Sequence, residues 1–397
     1  MSVGRTGTNM ATRREGLARR RAAIGFTQES LAEHLGIDRS TVGRWERGTL
    51  TPQPWNQPDL AGALKISLDT LDALLTPAAH ATQSAPDRVS HALVAPQRLD
   101  LITVGHLRER VQQLDQRYDR VPSTSLLADA GLALGQISFF GQHTPNGRTR
   151  LELREVEAEA ATLMGQLVWD ASQRRDHDNA RAHFDNAIAA AREIGNTAAE
   201  GHALLRKSYI SLYGERAPHA GLTLTEQTAH TTSHTSNVLT GLALLHTAEA
   251  HAMLGDQRAC EKALAEAETR FDKANANDIA GYLFSPSQFD RMAGSCYLFL
   301  GDHRRAQKVL EKTARGIRRQ NKSSAIVLGN LSLAHLRQGE LDAATAALHE
   351  AIDMVEETRG GGGLNIVFDA GKELRQWRTE HIVSEVYDRL LSLMTAA

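Results

Sequence analysis

The chain has 397 residues, of which 41% are hydrophobic and 23% charged, enough to bury the cores of two or more domains. Only 10 prolines and 5% aromatic residues make it poor in strand formers, which argues against all-β and disordered classes and for globular helix. The formal charge of -2 excludes a chain coated in nucleic acid along its length, and two cysteines exclude a disulfide framework.

The charge is unevenly placed. Over residues 1–50, nine arginines face five carboxylates, a net of +4 that leaves -6 for the remainder. A basic head on an acidic body fits one polyanion-binding domain. The first ten residues lack the apolar run of a signal peptide and nowhere do eighteen apolar residues follow one another, so the expected location is cytoplasmic, at the nucleoid, with no membrane partner. Cys260 and Cys296 lie in apolar helical patterns without CxxC spacing and are expected to be buried thiols in a reducing compartment.

Residues 1–11 read as a disordered tail. Thr12 and Glu15 form a T-x-x-E capping box that starts a helix to about Ile24, and some of its arginines, Arg13, Arg14, Arg19, Arg20 and Arg21, are expected at phosphates. Residues 27–48 read TQESLAEHLGIDRSTVGRWERG. Thr27 caps a short helix carrying Leu31 and Leu35 on one side, Gly36 permits the left-handed turn that ends it, and Asp38 caps a second helix from Arg39 to Arg47. Small Ala32 lets the helices approach, and Leu31, Leu35, Ile37, Val42 and Trp45 form the apolar seam. Arg39, Ser40, Thr41 and Arg44 then occupy the opposite, polar face. In a helix-turn-helix, that N-terminal half enters the major groove, where arginine can grip guanine with two hydrogen bonds. Gln28, at the first turn of the preceding helix, is placed to hold a phosphate.

These residues resemble the phage-repressor-like XRE family of helix-turn-helix regulators, whose members often read TQ-x-x-LA-x-x-LG, then a polar recognition helix, then W-E-x-G. The resemblance implies base reading by Arg39, Ser40 and Arg44 and backbone contacts from Gln28 and Thr41.

After Gly48, three prolines interrupt helix, and residues 59–64 and 68–75 complete a five-helix DNA-binding domain at 12–75. Residues 76–87 have linker composition, and 88–397 show helical patterns: 99–120, 126–140 and a third from Thr149. From about residue 150 a turn is followed five and nine residues later by a small and a large apolar residue. The pairs are Ala180 and Phe184 after Arg175, Ala220 and Leu224 after Glu215, Cys260 and Leu264 after Gly255, Ala306 and Leu310 after Gly301, and Ala344 and Leu348 after Gly339. The turns are 40, 40, 46 and 38 residues apart. Each unit is a helical hairpin whose small residue permits close packing. The pattern resembles stretched tetratricopeptide repeats. Gly360 to Gly363 are expected to break the last hairpin ahead of a capping helix, 371–393, with Leu374, Trp377, Val386, Leu390 and Leu393 toward the body. The expected fold is all-α, a five-helix head followed by an α-solenoid of such hairpins.

No catalytic signature is present: no Walker loop, GxGxxG, HExxH or GxSxG occurs, so the expectation is a non-enzyme without cofactor. His230 and His234, an i, i+4 pair, lack a further ligand nearby and read as a solvated loop with no metal. Aligning the units on their turns places Trp169, Tyr209, Glu249, Arg291 and Asn330 on the inner wall of the stack. Aromatic, amide and charged groups in one groove suit a peptide. The whole looks like bacterial regulators that join an XRE-type head to a tetratricopeptide-like body, among them peptide-pheromone receptors. The implied partners are double-stranded DNA, a second copy of the chain, and a peptide, small-molecule or protein effector. The alternative is a protein-recruiting scaffold tethered to DNA.

Overall fold

The computed structural model describes residues 14–75, 85–145, 147–317 and 321–395. The expected disordered tail, the Thr12 cap and most of the expected linker lie outside the described residues. Among the described residues every regular element is helical, and the chain divides into two compact units, 1–95 and 96–397.

The first unit holds α1 (Glu15–Ala23), α2 (Gln28–His34), α3 (Arg39–Glu46), α4 (Gln57–Leu64), α5 (Leu68–Leu75) and α6 (Ala85–Val94). Local chemistry sets the α2–α3 pair. The Thr27 and Ser30 side chains cap reciprocally, Gly36 adopts a left-handed φ of 63°, and Asp38 accepts from the Ser40 amide at 2.7 Å. Leu31, Ala32, Val42 and Trp45 are buried with Leu60, Leu64 and Leu71, while Leu35 and Ile37 are half-buried beside them. α6 begins two residues before the end of the stretch that reads as linker, and Arg88 on it pairs with Asp72 of α5.

The second unit opens with α7 (Leu101–Tyr118) and α8 (Leu127–His143) and continues as five hairpins. These are α9 (Arg148–Ala171) with α10 (His177–Glu193), α11 (Thr197–Tyr209) with α12 (Pro218–Thr232), α13 (Asn237–Met253) with α14 (Gln257–Asp272), α15 (Pro286–Phe299) with α16 (His303–Arg315), and α17 (Lys322–Leu336) with α18 (Leu341–Thr358). Every turn falls where the repeat places it. Gly255, Gly301 and Gly339 take left-handed φ of 75–80°, and Arg174 and Arg216 take the same region in the first two turns. The small residues Ala180, Cys260, Ala306 and Ala344 are fully buried. Across from them the partner helix gives way as well: a Cβ on Gly294 would lie 2.6 Å from Leu310.

The second hairpin departs from the pattern. Ala220 is exposed and Leu224 only half-buried, while Gly221 and Thr225 are buried in their places. The cause is a π-helical turn, Ile210–Gly214, which extends α11 and shifts the return helix by one residue. A Cβ on Gly221 would meet Leu212 of that turn at 2.2 Å.

The C-terminal region also differs from the single expected helix. Gly361 opens α19 (Gly361–Glu373), a short 3-10 turn covers Leu374–Trp377, and α20 (His381–Thr395) follows. The glycines begin a helix because its first turn is wedged against neighbouring helices: a Cβ on Gly363 would lie 2.6 Å from the Ala325 side chain and one on Gly361 3.1 Å from the Asp170 carbonyl. Leu374, Val386, Leu390 and Leu393 are nonetheless buried, with Trp377 packed beside them. His230 sits on α12, not in a loop; both it and His234 are exposed, and no cluster able to hold a metal occurs among the described residues. Cys260 and Cys296 are both buried free thiols.

Candidate nucleic-acid face and ligand groove

The first site is the outer face of α3. Val42 and Trp45 anchor the helix in the core, 1% exposed each, and this turns Arg39, Ser40 and Arg44 to solvent with Thr41 half-exposed. Asp38 is held below the usual carboxylate range by its Ser40 bonds, with burial opposing and the Arg44 charge adding. Gln28 is the first residue of α2. Its amide donates to Glu46, which also accepts from Arg21 at 2.7 Å, so Gln28 belongs to a network tying α1, α2 and α3 together.

The arginines of α1 follow the same logic. Arg14 bonds the carbonyls of Trp45 and Leu50, Arg20 those of Leu64 and Lys65, and Arg21 bonds Phe26 as well as Glu46. They satisfy carbonyls at helix ends and turns within the domain. At these three positions part of each guanidinium is thus engaged within the domain.

The second site is a groove of about 1990 Å³ within the helical body. Trp169, Tyr209, Glu249, Arg291 and Asn330 all line it, one from each of α9, α11, α13, α15 and α17. Other lining residues lie one helical turn away: Gln166 before Trp169, Arg206 before Tyr209, Tyr213 after it, and His246 before Glu249. The 3.6-residue period extended from the five would have found them. Lys322 and Arg174 carry no such sequence signal.

At the centre, Glu249 is 3% exposed and fully engaged, accepting from Ser295 at 2.5 Å and from the Tyr213 hydroxyl. Having one proton to give, Tyr213 must accept from His246 Nδ1, 2.6 Å away. Burial lowers the His246 pKa; burial alone would raise Glu249, but the nearby His246 ring and the bonds from Ser295 and Tyr213 hold it down. The result is a rigid polar seam under an aromatic platform, with Tyr209 5.7 Å from Tyr213 and 4.5 Å from His246.

A buried clasp closes the groove at one end. Asp170, on α9, accepts at one oxygen from Lys322 Nζ and Ser123 Oγ, 2.8 and 2.7 Å, and at the other from the Gly361 amide at 2.8 Å. Residues up to 199 positions apart thus meet, and the first and fifth hairpins of the body touch.

Residues 17–71 match the family model of the helix-turn-helix. The class defined here is a chain with a DNA-binding helix-turn-helix domain ahead of an all-helical repeat body. Among solved structures the chain is similar to PlcR of Bacillus thuringiensis in complex with the peptide PapR7 and DNA, at 13% identity and a TM-score of 0.34, covering 66% of this chain and 94% of that one. It is similar also to a Rap protein complexed with competence and sporulation factor, at 10% identity and a TM-score of 0.42 over 74% and 98% of the two chains. Yeast Tom70 is a third, at 13% identity and 0.34 over 94% and 84%. No curated protein matches the sequence.

Proposed function

We propose that the chain is a sequence-specific transcriptional regulator that binds DNA as a homodimer and whose helical body senses an effector, a peptide first among the candidates. The observation carrying this reading is the coexistence in one chain of an exposed polar α3 face and a groove lined by one side chain from each of five hairpins. Arg39, Ser40 and Arg44 read bases, and Thr41 contacts the backbone. Gln28 stiffens the head through Glu46 and presents its helix N-terminus to a phosphate. The five groove residues contact the effector, with Glu249 holding Tyr213 and Ser295 in place. Such an effector acts on DNA binding only as far as its affinity differs between two states of the protein. The groove exceeds the roughly 300–1,000 Å³ usual for small-molecule sites, which favours a peptide over a metabolite.

The test is selection of genomic fragments by the purified chain beside an Arg39→Ala/Arg44→Ala control. A shared inverted repeat, lost in the control, is expected. Arg44→Ala alone should cost ~1–3 kcal/mol at that site and little on unrelated DNA. An equal loss on all sequences would remove Arg44 from base reading, and the absence of any enriched motif would favour a scaffold.

A further inference from the structure

The groove's lining carries ten arginine and lysine side chains against six carboxylates among the described residues, in a chain whose formal charge is -2. Most carboxylates there are engaged. Asp170 is held in the clasp, Glu249 in its seam, Asp369 by Arg216 and Lys372, and Glu373 by Arg337. The other two, Asp115 and Asp119, act at longer range on Arg206 and on Arg291, and three central arginines, Arg174, Arg206 and Arg291, have no carboxylate within ion-pair distance among the described residues. Arg174 lies over the Trp169 ring at 4.6 Å and the Tyr213 ring at 5.8 Å, and its buried Nε has no hydrogen-bond partner. Arg206 lies 5.5 Å over Tyr209 and bonds only the His202 ring, whose pKa burial and this same arginine push down to about 3. Arg291 is half-buried. The charges of all three bear on Tyr209.

Buried amides stand beside them. Gln166 is 5% exposed with neither amide atom hydrogen-bonded, and the Trp169 indole N–H, buried in the same wall, is also unpartnered. Leaving such donors and acceptors unmade costs free energy, and so does gathering ten cations against six carboxylates; both are relieved by a ligand that supplies carbonyls, amides and negative charge. Planar guanidinium forks suit carboxylates, and side-chain amides suit a peptide backbone.

We propose that the groove selects an acidic peptide, its carboxylates taken by Arg174, Arg206 and Arg291 and its backbone by Gln166 and Asn330. This rests on reading the body as an effector sensor and adds the charge class of the effector.

The full chain is immobilised and exposed to a random heptapeptide pool, and the retained peptides are read by mass spectrometry. The expected retained fraction is enriched about tenfold in peptides bearing two or more Asp or Glu over their Asn and Gln counterparts, since charge-assisted bonds are about twice as strong as neutral ones. Raising NaCl from ~50 to ~500 mM should release acidic peptides preferentially. Arg291→Gln and Arg206→Gln should lower the enrichment, with circular dichroism confirming their folding. Retention without charge preference, a preference for basic peptides, or no retention above blank resin would each overturn the proposal. So would displacement by inorganic pyrophosphate with no peptide enriched, which would mark a phosphorylated ligand instead. Fragment binding repeated with and without the retained peptides separates the two readings: acidic selection with unchanged DNA binding leaves the groove's ligand class standing and removes the sensing role.

Discussion

Glu46 ties three helices of the head together. It ends α3, is 7% exposed, and accepts from Arg21 of α1 and Gln28 of α2. Replacing it leaves two donors without their acceptor inside a small domain. Glu46→Ala should therefore destabilise the head by about 2–3 kcal/mol, seen as a lowered urea midpoint for the first unfolding step. An unchanged midpoint would mean that the network is maintained by solvent. W-E-x-G is legible in the sequence, but the burial of its glutamate is not, because exposed and buried glutamates look alike until α1 and α2 are placed. The same holds for Arg14, Arg20 and Arg21, whose targets are backbone carbonyls 5 to 45 residues away.

Among the helices, α7 and α9 meet through an overloaded charge cluster. Arg108 faces Glu155 at 2.6 Å, Glu152 at 3.4 Å and Glu159 at 3.5 Å. Burial raises the Glu159 carboxyl from its ordinary 4.5 to about 7; Arg108 opposes this, and Glu155, Asp115 and Glu152 reinforce it. A carboxyl raised on folding keeps its proton where the unfolded chain has lost it, so its contribution to stability is full below about pH 4.5 and is lost as pH rises to about 7. Glu159→Gln is expected to flatten that decline and to melt higher than wild type at pH 8. Parallel wild-type and variant curves across that window would exclude Glu159 as the titrating group. Element positions were broadly legible here, since caps, glycines and apolar period are local signals. The π-helical turn at Ile210–Gly214 was not: its extra residue is fixed by Leu212 packing on Gly221, a contact between two helices.

The first and fifth hairpins of the body are joined by a buried charge pair, Lys322 with Asp170, whose side chains are 7% and 2% exposed. Burial lowers the Lys322 pKa and Asp170 opposes this, so losing the carboxylate strands an ammonium in the interior. Asp170→Asn should cost about 3–5 kcal/mol, whereas the paired change Asp170→Leu with Lys322→Met should recover much of it. Circular dichroism melting of the three proteins decides the matter, and equal melting of wild type and Asp170→Asn would show that apolar packing alone closes the stack. The sequence by itself determined the all-helical class, the helix-turn-helix, the five turns and four of the five small residues beneath them, because each depends on residues within a turn or two of one another. Only the tertiary structure decided that Ser123, Asp170, Lys322 and Gly361 meet, that Gly361 to Gly363 start a helix in place of a break, and that Arg174, Arg206 and Arg291 line one groove with Tyr209. Those depend on how the small rotation from each hairpin to the next accumulates over five units, and that rotation is set by side-chain packing between helices, which no local pattern encodes.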